Sequence, residues 1–176
     1  MENIARICLK KLTVKFWKRE QVPKKIFEYY PDDVEATATD LSPKIIKIAW
    51  KKAAGLANIT DVLEMDEENM GFEDNTFDTV VASCVFCSVP HPVKGLKEIR
   101  RLCRNGGKIL MLEHVKSKKP IMGLLMDILN PIPLHIYGAN INRNTTKNLH
   151  KAGFRNISVK DLWFDILKLI IIKNDK

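Results

Sequence analysis

Apolar residues along the chain alternate between two periods, and the changes of period mark out its elements. Val34–Thr39 is a short β-compatible run ending in Asp40. Ser42-Pro43 suits a helix start, because Ser can accept a backbone N–H and Pro needs no donor at the first helical position. Ile45, Ile46, Ala49, Ala53 and Leu56 follow at helical spacing, with Gly55 and Asn58 near the stop. Ile59–Met65 predicts a second strand, with Asp66 after it, and Gly71–Asn75 has loop chemistry. Phe77–Ser83 is almost continuously apolar, as a strand buried on both faces should be. Pro92 opens a helix with Val93, Leu96, Ile99 and Leu102 on one face. Asn105-Gly106-Gly107 predicts a tight turn before a strand at Lys108–Glu113.

Residues 116–140 break this rhythm. They are rich in Leu, Ile and Met and interrupted by Pro120, Pro131 and Pro133, which predicts an apolar cap in place of another repeat. Asn144-Thr145 then starts a last helix that Gly153 ends, and Asn156–Trp163 with Leu167–Ile172 predicts an antiparallel hairpin. Alternating β and α elements with short connections argue for an α/β fold around a parallel, doubly wound sheet.

Length and composition fit one globular domain: 176 residues, 45% hydrophobic and 28% charged. No apolar run approaches the roughly 20 residues that span a bilayer. Met1 to Lys11 lacks the apolar stretch and cleavage site of a signal peptide, so a cytoplasmic location is the expectation. Cys84 and Cys87 form a CxxC, but no second ligand pair has metal-site spacing, so these read as free thiols and no metal is expected. The formal charge of +8 suggests an acidic partner until its distribution is read. Residues 1–25 hold eight Lys/Arg against Glu2 and Glu20, whereas the remaining residues carry 21 basic and 19 acidic side chains. The basic character belongs to one segment, and no nucleic-acid partner is expected.

Asp40-Leu41-Ser42-Pro43, Asp66, Phe72-x-Asp74-Asn75-x-Phe77-Asp78, Glu98-x-x-Arg101 and Gly106-Gly107 stand in an order that resembles class I S-adenosylmethionine-dependent methyltransferases. Within these the chain is most similar to the quinone, phospholipid and small-thiol branch. Ser83-Cys84-Val85-Phe86-Cys87-Ser88-Val89 and Leu112-Glu113-His114 are similar to the thiol and phosphatidylethanolamine groups. The resemblance covers about residues 26–172. It implies a Rossmann-like doubly wound sheet, mostly parallel, with a C-terminal antiparallel hairpin. The cofactor it implies is S-adenosylmethionine, and the acceptor a small or lipid-like molecule.

The chemistry of individual residues agrees with that implication. A carboxylate at the end of the second strand can accept two hydrogen bonds from a ribose diol, and ligands of open α/β sheets sit at such strand ends. The resemblance gives this role to Asp40; the plainer alternative is a helix-entry residue. It further implies that Leu41 packs on the adenine, Asp66 accepts from its amino group, Glu67 contributes backbone only, and Ser83 and Cys84 lie beside the methyl group. Methyl transfer is an in-line displacement, so positioning dominates and a base matters only where the acceptor must lose a proton. His114 is the first candidate base and Glu113 the second; a structural histidine is the competing reading. The apolar cap suits an apolar acceptor, or peripheral contact with a membrane face.

One part of the pattern is missing. The family has a strand ending in a glycine-rich turn about 20 residues before Asp40, where the backbone approaches the cofactor closely. The chain instead reads Phe16-Trp17-Lys18-Arg19-Glu20-Gln21-Val22-Pro23-Lys24-Lys25, and its first glycine is Gly55. Two explanations stand. Read one base out of frame, the codons for Lys15 to Pro23 permit Val-Leu-Glu-x-Gly-(Ala/Thr)-Gly-Thr, with Leu and Glu forced, so residues 1–25 are then an aberrant segment ahead of a domain at 26–176. Alternatively the segment is a divergent one in which Leu12, Val14 and Phe16 alternate as a substitute strand. The first strand of the fold is thus absent or replaced.

Pro23 fixes φ and removes an N–H, and Lys24 and Lys25 add bulk where close approach is needed. The chain as written is therefore expected to bind S-adenosylhomocysteine far more weakly than a version carrying the glycine-rich octapeptide. Titration calorimetry on both proteins measures this, and micromolar binding by the chain as written overturns it.

Overall fold

The structure, a computed structural model, describes residues 11–15 and 34–176. Its seven strands are β1 (Lys11–Lys15), β2 (Glu35–Asp40), β3 (Ile59–Glu64), β4 (Phe77–Ser83), β5 (Cys103–His114), β6 (Ile157–Trp163) and β7 (Leu167–Lys173). They form one sheet in the order β3-β2-β1-β4-β5-β7-β6. Strands β1 to β5 are parallel, while β7 runs antiparallel to both β5 and β6. The helices are α1 (Pro43–Ala53), α2 (Pro92–Leu102), α3 (Pro120–Leu129), α4 (Pro131–Tyr137) and α5 (Thr145–Lys151). This is the α/β sheet with a closing hairpin that the periodicity implies.

The central strand is replaced, not absent. Lys11–Lys15 lies between β2 and β4, with Leu12 opposite Ala36 and Thr79 and Val14 opposite Ala38 and Val81. Phe16, expected to extend this strand, and the stretch to Lys25 lie outside the described residues.

Two apolar clusters flank that strand. The smaller is built on short side chains: Ala36 and Ala38 of β2 meet Ala49 and Ala53 of α1, with Val34 and Val62 beside them. Small residues on both surfaces let helix and sheet approach closely. In the larger cluster Leu96, Ile99 and Leu102, one face of α2, pack on Val80, Ile109 and Met111, and Leu149 and Phe154 close the far side. Every one of these is almost wholly buried, and each buried Val, Leu, Ile, Met or Phe among them contributes on the order of 1.5–3 kcal/mol.

Two local expectations are corrected. Ser42 does not cap α1 with its side chain; its N–H donates instead to Asp40 Oδ1 at 2.7 Å. Asn105-Gly106-Gly107 is not a free-standing turn but a bulge within β5, between the pairings Phe77–Cys103 and Thr79–Lys108. The C-terminal residues make it so: Gly106 N–H donates to the Asn174 carbonyl at 2.7 Å and Asn174 N–H to the Gly107 carbonyl at 2.8 Å. The buried Asn174 amide also donates to the carbonyls of Arg100, Cys103 and Arg104. Gly107 is required by space, since a Cβ there would lie 2.8 Å from the Asp78 carbonyl oxygen.

Glu98-x-x-Arg101 and Phe72-x-Asp74 prove to be one structural clip. Arg101 donates to both carboxylate oxygens of Glu98, to Asp74 Oδ1, and to the carbonyls of Phe72 and Met70. Met70 N–H returns a bond to Glu98 at 3.1 Å. The loop between β3 and β4 is thereby fastened to α2. Replacing Arg101 by Ala strands these acceptors and should lower stability by about 2–4 kcal/mol, with Arg101→Lys recovering only part because a single ammonium cannot span the fork. Urea unfolding midpoints test this, and an Arg101→Ala loss below about 0.5 kcal/mol, the range of an ordinary surface change, would contradict it.

Candidate functional site

Because β1 to β5 are parallel, their C-terminal ends share one edge of the sheet. Lys15, the last residue of β1, is opposite Thr39 on one side and Ala82 on the other. Asp40 and Ser83 are each the next residue along, two strand spacings apart, or about 9.5 Å. Chain order reverses here, since β2 and β3 lie to one side of β1 and β4 and β5 to the other. Such a switch point is where open α/β sheets bind ligands.

On the β2–β3 side, Asp40 is 8% exposed and one carboxylate oxygen takes the Ser42 N–H. Its backbone carbonyl accepts from Met65 N–H at 3.0 Å, which ties the ends of β2 and β3 together. Leu41 beside it is 55% exposed, an apolar surface at the mouth of the edge. Asp66 is exposed and accepts from Glu68 N–H at 2.8 Å. Glu67 is buried where α2 crosses, and a Cβ on Gly95 would come within 3.2 Å of its carbonyl oxygen. Glu68 takes two bonds from His91, one from its N–H at 2.7 Å and one with its ring Nδ1 at 2.9 Å. Those bonds hold its carboxyl below the usual carboxylate range.

On the β4–β5 side the strand end is bent sharply. Ser83 and Cys84 are half-buried, and Cys84 has φ of 51°, left-handed for a non-glycine residue. Its N–H still donates to the Leu112 carbonyl at 2.6 Å. Glu113 fixes the turn that follows: it is wholly buried, and Oε1 accepts from Val85 N–H at 3.1 Å and Phe86 N–H at 3.3 Å. Burial drives its carboxyl up to about 8 against the lowering effect of those two bonds. Oε2 is buried without a hydrogen-bond partner among the described residues. Cys87, buried one turn away, donates to the Cys84 carbonyl at 3.0 Å, and burial with the Glu113 charge pushes its thiol up to about 12. No group of three or more His, Cys, Asp and Glu among the described residues is arranged to hold a metal.

His114 is half-buried at the end of β5, with its Nδ1 buried and unpartnered among the described residues. Burial lowers its pKa, opposed by a hydrogen bond to the backbone of Ile141, so the ring is neutral and basic at neutral pH. The edge is roofed by the chain after α4. Asn140 gives the Cys87 carbonyl its N–H at 2.8 Å and a side-chain bond at 3.3 Å, and Arg143 donates to the Val89 carbonyl at 3.0 Å. Asp40, Ser83, Cys84 and His114 therefore share the edge, with Asp66 at its β3 end, while Glu67 and Glu113 lie beneath it.

Residues 21–111 match the methyltransferase-domain family. The chain belongs to that family. It is 30% identical over 139 residues to thiol S-methyltransferase TMT1B of Rattus norvegicus, covering 76% of this chain and 57% of that protein. It is 34% identical over 95 residues to a phosphatidylethanolamine N-methyltransferase of Cereibacter sphaeroides, covering 52% of this chain and 47% of that one. The chain thus spans about half the length of these relatives. The methyltransferase sheet is also found in a Bacillus halodurans structure at TM-score 0.74 and 14% identity, covering 99% of this chain and 96% of that one. An Aquifex aeolicus S-adenosylmethionine-dependent methyltransferase gives TM-score 0.69 at 17% identity, with 94% and 82% covered. The match to the methyltransferase family begins at residue 21, inside the stretch Phe16 to Lys25 where the glycine-rich turn is wanting.

Sequence reasoning missed the anchoring work of Glu113, Asn140 and Glu68. The only signal for Glu113 was a carboxylate ending an apolar strand, which is unusual unless the group is held. A carboxyl titrating at about 8 in the folded chain against 4.5 unfolded adds stability that is fully present below pH 4.5 and lost as pH rises through 8. Wild-type stability should therefore fall by a few kcal/mol over that window, and Glu113→Gln, which keeps the acceptor for Val85 and Phe86, should flatten the profile. Thermal unfolding of both proteins from pH 4.5 to 8.5 reads it out; parallel profiles would show that Glu113 does not titrate there.

Proposed function

We propose that this domain transfers a methyl group from S-adenosylmethionine to a small apolar or lipid-like acceptor bearing one nucleophilic heteroatom: a thiol, quinol or phospholipid amine. The observation that carries the reading is the meeting of Asp40, Leu41, Ser83, Cys84 and His114 at one switch-point edge. The residues fit the cofactor's parts. Asp40 offers carboxylate lone pairs to a diol, Leu41 an apolar face to a flat base, and Asp66 an exposed acceptor to an amino group. When bound, the cofactor supplies a methyl on a positively charged sulfur, an electrophile that needs no further activation.

The chain's own contribution is placement and proton control. Glu113 holds the Val85-Phe86 turn, which fixes where Ser83 and Cys84 end. His114, neutral because it is half-buried, takes the proton from an acceptor such as a thiol or ammonium. Glu113, the second candidate from the sequence, is wholly buried beneath the edge and holds the Val85-Phe86 turn instead. The two relatives matched along this stretch act on thiols and on phosphatidylethanolamine by their names, which supports an acceptor of this size and polarity. A second reading, a methyltransferase-fold protein that holds no cofactor, is favoured by one observation: no glycine precedes Gly55.

The two readings part on a repaired chain carrying the glycine-rich octapeptide. Methyl transfer to an alkyl thiol, quinol or phosphatidylethanolamine is expected, and none to tRNA or a basic protein. Asp40→Ala should weaken S-adenosylhomocysteine binding by roughly 1.5–3 kcal/mol through loss of charge-assisted bonds. Unchanged affinity would make Asp40 a helix-entry residue only, and turnover confined to tRNA or protein would refute the apolar acceptor.

A further inference from the structure

Helices α3 and α4 are built inside out. Gly123 and Met126 face the body, and Gly123 is needed because a Cβ would lie 2.9 Å from the Ser117 carbonyl oxygen. The side chains turned outward are aliphatic: Ile121 is 77% exposed, Leu124 60%, Ile128 63% and Ile136 64%. A helix on a water-facing surface normally puts polar residues there, and a contiguous exposed apolar surface marks an interaction site.

The same surface continues onto the β6–β7 hairpin. Asp165, in its turn, accepts from Ser117 Oγ at 2.8 Å and from Lys118 N–H at 2.6 Å. That clamp sets Trp163 and Phe164 beside the entrance to α3. The two rings meet edge to face at 5.2 Å, and both are more than half exposed. Phe164 is held at φ of 47°, a strained conformation for a bulky residue and one that structures keep where function needs it.

We infer that this face, formed by α3, α4 and the Trp163-Phe164 tip, docks on the surface of an anionic lipid bilayer. Its chemistry selects that occupant. Lys118 and Lys119 lie exposed between the aromatic tip and the aliphatic helix, whereas lysine is depleted from interfaces between proteins. Aliphatic side chains flanked by Trp, Phe and Lys are the composition of a helix lying in the headgroup region. The one acid of residues 116–136, Asp127, is neutralised by Lys116 at 2.5 Å and accepts a hydrogen bond from the Asn142 amide at 3.0 Å. Helix α3, at about 15 Å, is too short to cross a bilayer, and among the described residues no helix is long and apolar enough to do so. Helix α3 of the docked face begins six residues after His114, so a lipid-borne acceptor would enter the edge close to the bilayer surface. That consequence rests on the proposed function; the docking does not.

The test needs neither cofactor nor acceptor. Flotation with phosphatidylcholine vesicles containing about one-third phosphatidylglycerol, a fraction high enough to give a strongly negative surface, should carry the chain upward, and vesicles of phosphatidylcholine alone should carry much less. Leu124→Asp with Ile128→Asp should abolish flotation, with circular dichroism showing the fold retained. Lys118→Glu with Lys119→Glu should reduce the partition coefficient at least about tenfold. Brominated lipid should quench tryptophan emission, and Trp163→Phe should remove that quenching. Flotation that survives the Asp variants, or a face buried instead in a concentration-dependent dimer by sedimentation, would overturn the proposal. Loss of methyl transfer with docking intact would count against the proposed function alone.

Discussion

Pairing of the five-residue strand β1 with β2 on one side and β4 on the other is the constraint on which the rest depends. Among the described residues no other ladder joins the two halves of the sheet. Asp40 and Asp66 belong to the half closed by the small alanine-rich cluster, and Ser83, Cys84 and His114 to the half closed by the larger one. A slip of one residue in either β1 ladder would move one set of strand ends by about 3.3 Å against the other and invert which faces are buried. Parallel strands require crossovers, so this register is set by long-range pairing and not by a tight turn.

Much of what makes the family recognisable turns out to hold the scaffold. Arg101 collects Glu98, Asp74 and two carbonyls, and Asn174 closes the bulge at Gly106-Gly107. Glu113 does the same for the bend after β4. Each is a buried or half-buried polar group that bonds two or more backbone groups of neighbouring segments, so removing one strands several partners. The strand ends can then carry strain, such as the left-handed Cys84, because the backbone around them is over-determined.

The cap relates differently to the sheet. Its contacts inward are few and specific: Met126, Gly123, and the Asn130–Asn140 pair at 3.1 Å that ties α4's start to the Cys87 roof. Its outward surface is aliphatic. On the proposed function, a strand-end edge beside such a cap would let an apolar acceptor meet a polar cofactor there, which suits a displacement that depends on alignment.

The sequence by itself determined the elements and their order, because periodicity follows from which faces are buried. The alternation from Val34 to Ile172 and the continuous apolar run Phe77–Ser83 left little freedom, and Asp40, Asp66 and His114 could be singled out as polar residues at strand ends. Local chemistry was less decisive where two partners competed: Ser42 had the right type for a cap, yet the Asp40 carboxylate took the bond that orders the turn. Only the tertiary structure decided that Lys11–Lys15 fills the central strand, since a five-residue segment with lysine at both ends offers little beyond the Leu12 and Val14 alternation and is fixed by neighbours 24 and 67 residues away in sequence. It likewise decided that Glu113 faces inward onto two amides and that the aliphatic side chains of the cap face outward. Those directions depend on which surfaces meet, and pairing between distant segments is what a linear pattern does not encode.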